Sequence, residues 1–274
     1  MPLSSGKSSQ GRFWRASGGV AIAAGLWWFI PQPDALLLPP LGQIFAALIE
    51  LASSNALWQD IQHSLIRVLC GVFIATCAAI FLGLLGLLSR RAIDGFVGIF
   101  ELMRPIPPIA WTPVAILFFG IGSTPAIAIV AISSFFPLWL SLLEGIDTIN
   151  DKHIVSGRCL GASPLILFTD VQLPSILPNF LHGLRLAIGI GWFSVIAAEM
   201  VGASTGLGHA VQNSTLNLEM TKTYSYLLVI GIVGFLCNWL VQKLTAQLES
   251  AILRVLEDPK KLLLFARKWI LVSV

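Results

Sequence analysis

Four charged residues stand inside long apolar runs of this chain: Arg67, Arg104, Arg185 and Glu199. A charge in such a run costs about 2.5–3.5 kcal/mol on insertion into hydrocarbon, and its side chain usually faces protein or water. Glu199 follows thirteen uncharged residues after Arg185, so we expect it to lie deep in its segment or near its outer end, and to pair with an arginine. Arg104 is the better candidate for attracting an anion.

Residues for enzymatic chemistry form no constellation in this sequence. The chain has no Gly-x-x-x-x-Gly-Lys-Ser/Thr phosphate loop, so it is not expected to bind ATP in that way. Paired aspartates, a Ser-Lys pair and a His-Glu metal motif, one of which an intramembrane enzyme would need, are all missing. The histidines and cysteines are scattered: His63, His153, His182, His209, Cys70, Cys77, Cys159 and Cys237. The sequence therefore predicts no catalytic residue, no metal and no cofactor bound by this chain.

The amino-acid composition indicates which type of secondary structure positions these charged residues. The chain is 56% hydrophobic and only 11% charged, whereas soluble domains carry about 25% charged residues. Because a helix of about 20 apolar residues crosses a bilayer, the long uncharged runs predict an all-α polytopic membrane protein. Six spans are expected at 13–31, 64–88, 93–118, 124–145, 183–203 and 223–246, and an amphipathic stretch at Leu41–Ser53 is expected at the surface.

The basic residues predict the orientation of these spans. They occur before the first span, after the second, in the long loop between the fourth and fifth, and in the tail: Lys7, Arg12, Arg15, Arg90, Arg91, Lys152, Arg158, Lys260, Lys261, Arg267 and Lys268. Six spans place all of them on one side, which is the cytoplasmic side. Residues 1–12 are then a cytoplasmic tail, 13–250 the membrane domain and 251–274 a basic amphipathic or disordered tail. This rule explains the net charge of +3, so nucleic acid is not an expected partner.

The loop at 146–182 is too long and too patterned to be a plain connection. Apolar residues recur in it at helical spacing, and Gly161 predicts a sharp turn between two short helices. Pro174 and Pro178 are expected to end the helical pattern. Such a unit presents an apolar face outside the bilayer, which indicates docking to a cytoplasmic partner.

A motif in this loop resembles the cytoplasmic signature of the membrane subunits of binding-protein-dependent ABC importers. That signature is Glu-Ala-Ala, three residues, Gly, nine residues, Ile, one residue and Leu-Pro. Here Gly161 is followed at the same spacing by Val171, Gln172, Leu173 and Pro174, whereas Val155, Ser156 and Gly157 replace Glu-Ala-Ala.

Other stretches are similar to the nitrate, sulfonate, taurine and bicarbonate branch of that family. They occur in order over about residues 35–250: 64–69 (SLIRVL), 104–111 (RPIPPIAW), 119–122 (FGIG), 160–163 (LGAS), 183–185 (GLR), 198–200 (AEM) and 206–208 (GLG). Within this branch the substrates are small oxyanions or sulfonates, and thiamine-precursor pyrimidines stay open as an alternative. The substrate is chosen largely by the external binding protein.

The resemblance implies a type I importer permease fold in the bacterial inner membrane, operating by alternating access. It implies as partners a cytoplasmic ATPase dimer that holds ATP and magnesium, a second copy of this chain and an external substrate-binding protein. The residues implied in coupling to the ATPase are Val155, Ser156, Gly157, Gly161, Ala162, Ser163, Val171, Leu173 and Pro174. An ATP-independent secondary transporter or channel is the alternative, and the docking loop argues against it.

A second set of residues is expected along the translocation path or at a gate. The stretch from Arg104 to Pro113 includes four prolines, and irregular backbone at membrane depth is tolerated where it lines a cavity or is buried. The candidates are Arg104, Pro107, Pro108, Trp111, Arg185, Trp192 and Glu199. The competing interpretations are a packing kink for the prolines, interface or packing roles for the tryptophans, and a buried structural ion pair for Glu199. The stretch Gly206-Leu207-Gly208 is expected to contact the binding protein, to shape the mouth of the cavity or to form a plain turn.

Overall fold

The computed structural model describes residues 38–88 and 90–257, together with Gly25. That part of the chain is helical almost throughout and contains no β-strand. The predicted first span at 13–31 and the tail at 1–12 lie outside the described residues, apart from Gly25. The predicted tail at 251–274 is described only to Glu257.

Ten α-helices make up the described residues. They are α1 (Leu41–Ser53), α2 (Asn55–Leu88), α3 (Arg90–Met103), α4 (Thr112–Phe119), α5 (Ser123–Asp147), α6 (Asp151–Cys159), α7 (Pro164–Leu167), α8 (Leu173–Gly202), α9 (Leu207–Leu216) and α10 (Met220–Glu257). A 3-10 turn at Pro108–Trp111 precedes α4, and a π-helical turn at Phe168–Gln172 joins α7 to α8.

Four stretches among the described residues are long and apolar enough to cross a membrane: Asn55–Leu87, Ser123–Asp147, Pro164–Gly202 and Met220–Ser250. They cover the predicted spans 64–88, 124–145, 183–203 and 223–246 to within one residue. The predicted span 93–118 corresponds to a bent pair of helices, because Gly95–Met103 and Pro108–Phe119 meet at 92°. Prolines at 105, 107 and 108 remove the N–H groups that a continuous helix needs at this point.

Helices α2, α5 and α8 form the centre of the bundle through small residues. Ala75, Ala79 and Ala187 are buried together with Leu138. A Cβ atom added to Gly71 would lie 2.5 Å from the Val130 side chain, so only glycine allows α2 and α5 to approach this closely. Small residues at such contacts are typical of helices that pack in a bilayer, where van der Waals packing replaces the hydrophobic effect.

Two helix starts differ from the sequence prediction. Helix α2 begins at Asn55, well before the predicted boundary at 64. Helix α8 begins at Leu173, within the predicted loop, and it contains both prolines that were expected to end a helix. Pro174 lies in the first turn of α8, directly after the π-helical turn, and Pro178 lies one turn later. Each proline lacks the N–H for one helical hydrogen bond, and the helix continues through both. Helix α8 therefore runs unbroken from the loop through the membrane.

The two ends of the bundle carry different elements. At one end α9 packs with the beginnings of α2 and α10, through Leu57, Leu207, Val211 and Tyr226. Helix α1 covers the same end, where its Ile44 is buried and accepts a hydrogen bond of 2.9 Å from Ser225 Oγ. The amphipathic stretch predicted at Leu41–Ser53 thus forms helix α1. The opposite end carries α6 and α7. We call these the α9 end and the α6–α7 end.

Candidate functional site

The α6–α7 segment is a capped helix–turn–helix. Asn150 begins α6 by accepting a hydrogen bond of 3.0 Å from the Lys152 amide, and Ser163 begins α7 by accepting one of 3.4 Å from Ile166. Gly161 lies between the two helices with φ +84°, a conformation that side chains with a Cβ rarely adopt. The predicted glycine turn is therefore present, but the second helix is not short, because α7 continues through the π-helical turn into α8 over Pro164–Gly202.

Close packing fixes the angle between α6 and α7. Gly157 faces the buried side chain of Leu167, and a Cβ at this position would lie 2.6 Å from Leu167 Cδ2. The Ala162 amide donates to the Gly157 carbonyl at 3.0 Å. These contacts explain why the chain has glycine where the family signature has alanine, and they make α6 and α7 one unit.

The outer face of this unit is apolar. Val155 on α6, Leu160 in the turn and Leu165 on α7 expose 58%, 74% and 72% of their surface. Of the predicted coupling residues, Val155, Ser156, Gly161, Ser163 and Leu173 are exposed, whereas Gly157, Ala162, Val171 and Pro174 are partly buried. The segment therefore brings the predicted residues together as a compact projection with an apolar surface.

A buried ion pair occupies the α9 end. Arg67 Nη1 on α2 lies 2.7 Å from Glu199 Oε1 on α8, and both side chains are almost fully buried. Ser64 Oγ lies 2.8 Å from each oxygen of the same carboxylate. The predicted pairing of Glu199 with an arginine is made with Arg67, and we call these residues and their hydrogen-bond partners the Arg67–Glu199 network.

The Arg67–Glu199 network also includes residues at the start of α5, before α9, at the start of α9 and on α2. Arg67 donates to Ser123 at the start of α5 and to the carbonyl and hydroxyl oxygens of Thr205, at 2.6–3.2 Å. The first amides of α9 have no cap from their own segment. They donate instead to side chains of α2 and α8: Gly206 N to Asp60, Leu207 N to Ser64 and Gly208 N to Glu199, at 2.9–3.0 Å. Carboxylates from other helices therefore satisfy the positive end of α9.

The stretch Gly206-Leu207-Gly208 is required by this network. Gly206 has φ +106°, and a Cβ there would lie 2.5 Å from Glu199 Oε1. A Cβ at Gly208 would lie 2.3 Å from the Ile196 carbonyl oxygen. The sequence did not identify Asp60, Ser123 or Thr205 as members. Ser64 was quoted only within a family stretch, although its helical spacing of three from Arg67 puts both on one face.

The second group of predicted path residues lies at the break between α3 and α4. Arg104 and Pro107 are exposed and Pro108 is partly buried. Trp111 packs against the buried cluster of Ala115, Ala126, Ile129 and Ala198, so its side chain contributes to the core. The break therefore has a packed side and an exposed side, and Arg104 belongs to the exposed one.

The remaining candidates line a cavity of about 860 Å³ between α8 and α10. Arg185 donates to the Thr245 hydroxyl and lies 3.2 Å from Glu249, while Trp192 Nε1 donates to the Ile230 carbonyl at 3.3 Å. Asn238 and Gln242 also line the cavity. The predicted path residues thus fall in three separate places. No group of histidine, cysteine, aspartate and glutamate within the described ranges could hold a metal ion.

Comparison with known proteins places this geometry in a family. Residues 75–254 match the family model of the binding-protein-dependent transport system inner membrane component. The taurine transport system permease protein TauC of Escherichia coli K12 is 33% identical over 80% of this chain and 82% of that protein. A nitrate import permease, NrtB of Leptolyngbya laminosa, is 32% identical over 69% of this chain and 68% of that protein.

Solved structures give the same fold. The inward-facing MetNI methionine ABC transporter matches 70% of this chain and 95% of its own, with a TM-score of 0.61 and 18% identity. An amino acid ABC transporter matches 77% of this chain and 96% of its own, with a TM-score of 0.56. The predicted all-α permease fold of type I importers is therefore confirmed.

Family membership settles the class of activity. Members are multi-pass inner membrane subunits that do not catalyse a reaction and that work with a separate ATPase and a substrate-binding protein. This separates the chain from intramembrane enzymes and from ATP-independent transporters. The chain belongs to the family of inner membrane components of binding-protein-dependent transport systems.

Proposed function

We propose that this chain is the permease of an importer for taurine or another small sulfonate, with nitrate and bicarbonate as alternative substrates. The observation that carries this proposal is the 33% identity with a taurine permease over 80% of the chain. Aliphatic sulfonate permeases of Bacillus subtilis and Escherichia coli, at 27% and 31% identity, support the same substrate class.

The α6–α7 projection is proposed to insert into a cleft of the ATPase. Val155, Leu160 and Leu165 supply the apolar contact, and the turn at Gly161 sets the angle between the helices. ATP and magnesium are held by the partner, and this chain holds neither. Because α8 is continuous from Leu173 to Gly202, a movement of the projection is transmitted through the membrane as the movement of one rigid rod.

Two copies of the chain are proposed to enclose the path, with both termini in the cytoplasm. The basic residues of the α6–α7 segment, Lys152 and Arg158, support a cytoplasmic position for that end. Exposed polar residues on α10, Asn238 and Gln242, support a contact with protein or water on one side of the bundle, since polar side chains in a span are unfavourable against lipid. The alternating access of the path then follows from rocking of the two copies.

The first test is purification of the tagged chain from its native membrane in mild detergent, with identification of the proteins that come with it. A stoichiometric ATPase and a second, untagged copy of the chain are expected. A chain that purifies alone and moves taurine in vesicles without ATP would contradict the proposal.

The second test addresses the substrate. The complex is reconstituted with its binding protein, and uptake of labelled taurine is measured with unlabelled taurine, nitrate or bicarbonate as competitor. Competition by taurine alone is expected. Uptake that nitrate or bicarbonate suppresses as well as taurine does would move the assignment to the inorganic oxyanions.

A further inference from the structure

The break between α3 and α4 leaves irregular backbone on an exposed surface. Arg104, Pro105, Ile106 and Pro107 form the segment between the two helices, and all four residues are exposed. Pro105 has no N–H to donate to the carbonyl of Glu101, one turn earlier. Backbone of this kind is tolerated at membrane depth only where it is buried in protein or lines a water-filled cavity.

The break lies at the middle of the membrane-spanning bundle. Before the break, the ring of Phe100 contacts the rings of Phe135 and Trp139 on α5, with centroids 5.1 and 5.9 Å apart. After it, Trp111 packs beside Ile129 on the same helix. Arg104 therefore lies alongside the central part of α5, which spans Ser123–Asp147.

Arg104 differs from Arg67 and Arg185, the other two arginines named as candidates in the spans, in its ion pairing. Arg67 is paired with Glu199 and Arg185 with Glu249. The ion pairs formed within the described ranges leave Arg104 without a partner. Its nearest carboxylate along the helix, Glu101, is also exposed and makes no ion pair with it. An unpaired guanidinium at this depth requires either water or an anion in front of it.

We propose that Arg104 faces the translocation path at mid-membrane and donates hydrogen bonds to the anion as it crosses. This inference rests on the function proposed above and names the contact that the anion makes in this chain. A guanidinium matches the chemistry because its planar N–H groups bind two oxygens of a sulfonate or oxyanion at once. A single exposed arginine gives a contact weak enough to release the anion on the other side.

The first experiment measures taurine uptake by the reconstituted complex with its ATPase and binding protein. Arg104→Gln is compared with Arg104→Lys and with Glu101→Gln, a matched removal of charge one turn away. The maximal rate is expected to fall about tenfold or more in Arg104→Gln, the size of one lost charge-assisted hydrogen bond. Arg104→Lys retains part of the rate, and Glu101→Gln leaves it unchanged or raises it.

The second experiment tests whether position 104 faces water. Arg104→Cys is made in a chain whose Cys70, Cys77, Cys159 and Cys237 are replaced by serine or alanine, and the complex is treated with methanethiosulfonate reagents. Reaction of the introduced thiol is expected, with slower reaction in the presence of taurine. A cationic reagent should restore part of the uptake, whereas an anionic reagent should abolish what is left.

Four outcomes would overturn the inference. Arg104→Gln could transport taurine at the parent rate, or the introduced thiol could stay unreactive in the assembled complex, which would place it against protein. Arg104→Gln and Arg104→Lys could both fail to assemble, or the double change of Arg104 and Glu101 to glutamine could restore the rate, either of which would make Arg104 a structural residue. Failure of the proposed substrate is distinguishable, because the parent complex would then take up no taurine while the thiol still reacts.

Discussion

At the scale of single residues, the burial of Arg67 and Glu199 is possible because their charged atoms are well supplied with partners. Glu199 accepts from Arg67, Ser64 and the Gly208 amide, while Arg67 also donates to Ser123 and Thr205. Removing two charges from water is expensive, and only this number of hydrogen bonds offsets it. The same network stabilises the start of α9, so one ion pair supports the arrangement of four helices, α2, α5, α8 and α9.

Glu199→Gln should therefore destabilise the protein strongly. The substitution leaves Arg67 buried without a counter-charge, and breaking such a pair costs about 3–5 kcal/mol. Thermal unfolding of the purified chain in detergent measures the loss. The matched control is Glu249→Gln, because Glu249 and Arg185 are about one-third exposed, and a pair of that kind contributes about 1 kcal/mol or less. Equal shifts of Tm in the two variants would contradict this account.

Gly206→Ala should have an effect similar to that of Glu199→Gln. The new methyl group would overlap the carboxylate of Glu199, and the φ of +106° adds backbone strain. Gly189→Ala is the control, since a Cβ at that position of α8 meets no atom within 4 Å. The control should keep or raise the Tm through the higher helix propensity of alanine. A Tm of Gly206→Ala within 1 °C of the parent would be evidence against the network as a steric unit.

At the scale of elements, the sequence identified helices better than it identified their ends. Apolar runs predict where helices lie, because every span must satisfy its backbone internally. The two Leu-Pro steps misled the prediction at α8, since each missing N–H removes one helical hydrogen bond without ending a helix whose other hydrogen bonds are made. The orthogonal break at Arg104 was foreseen as irregular backbone, whereas its angle depends on the packing of Trp111 and could not be read from the chain.

Gly161→Val should disrupt the link to the ATPase without disrupting the bundle. Valine at φ +84° is strained by about 1–2 kcal/mol, and relief of that strain changes the angle between α6 and α7. A Cβ at Gly161 meets no neighbouring atom, so the effect is conformational and not steric. Co-purification of the ATPase and ATP-dependent taurine uptake should both fall, while the Tm of the isolated chain should stay near that of the parent.

Gly161→Asn is the control for that substitution, because asparagine tolerates left-handed backbone better than other residues. It should retain more of the ATPase and more uptake than Gly161→Val. If the two variants behave alike, or if Gly161→Val keeps full recovery of the ATPase and full uptake, the α6–α7 projection is not the docking element.

At the scale of the whole molecule, the described part of the chain has a closely packed centre and one helix, α10, that is less buried against it. Helices α2, α5 and α8 bury small residues against one another and share the Arg67–Glu199 network. Helix α10 is held at its beginning by α1 and α9 and farther along by Arg185, and a large cavity separates it from α8 between these places. The sequence predicted the spans but not this difference, because apolarity alone does not distinguish a face that meets protein from one that meets lipid.

This difference predicts unequal protection of backbone amides in hydrogen exchange. In α5, half of the spanning window is buried, whereas in α10 only 17% is. Local opening is easiest where few buried contacts must break, so peptides from the second half of α10 should exchange before those of α5 in the detergent-solubilised chain. The Arg185→Gln variant sharpens the test, because it removes the donor to Thr245 and Glu249. It should speed exchange in the last turns of α10 and leave α2 and α5 unchanged. Uniform protection of α5 and α10, or a faster α5 in Arg185→Gln, would show that the cavity does not divide the bundle.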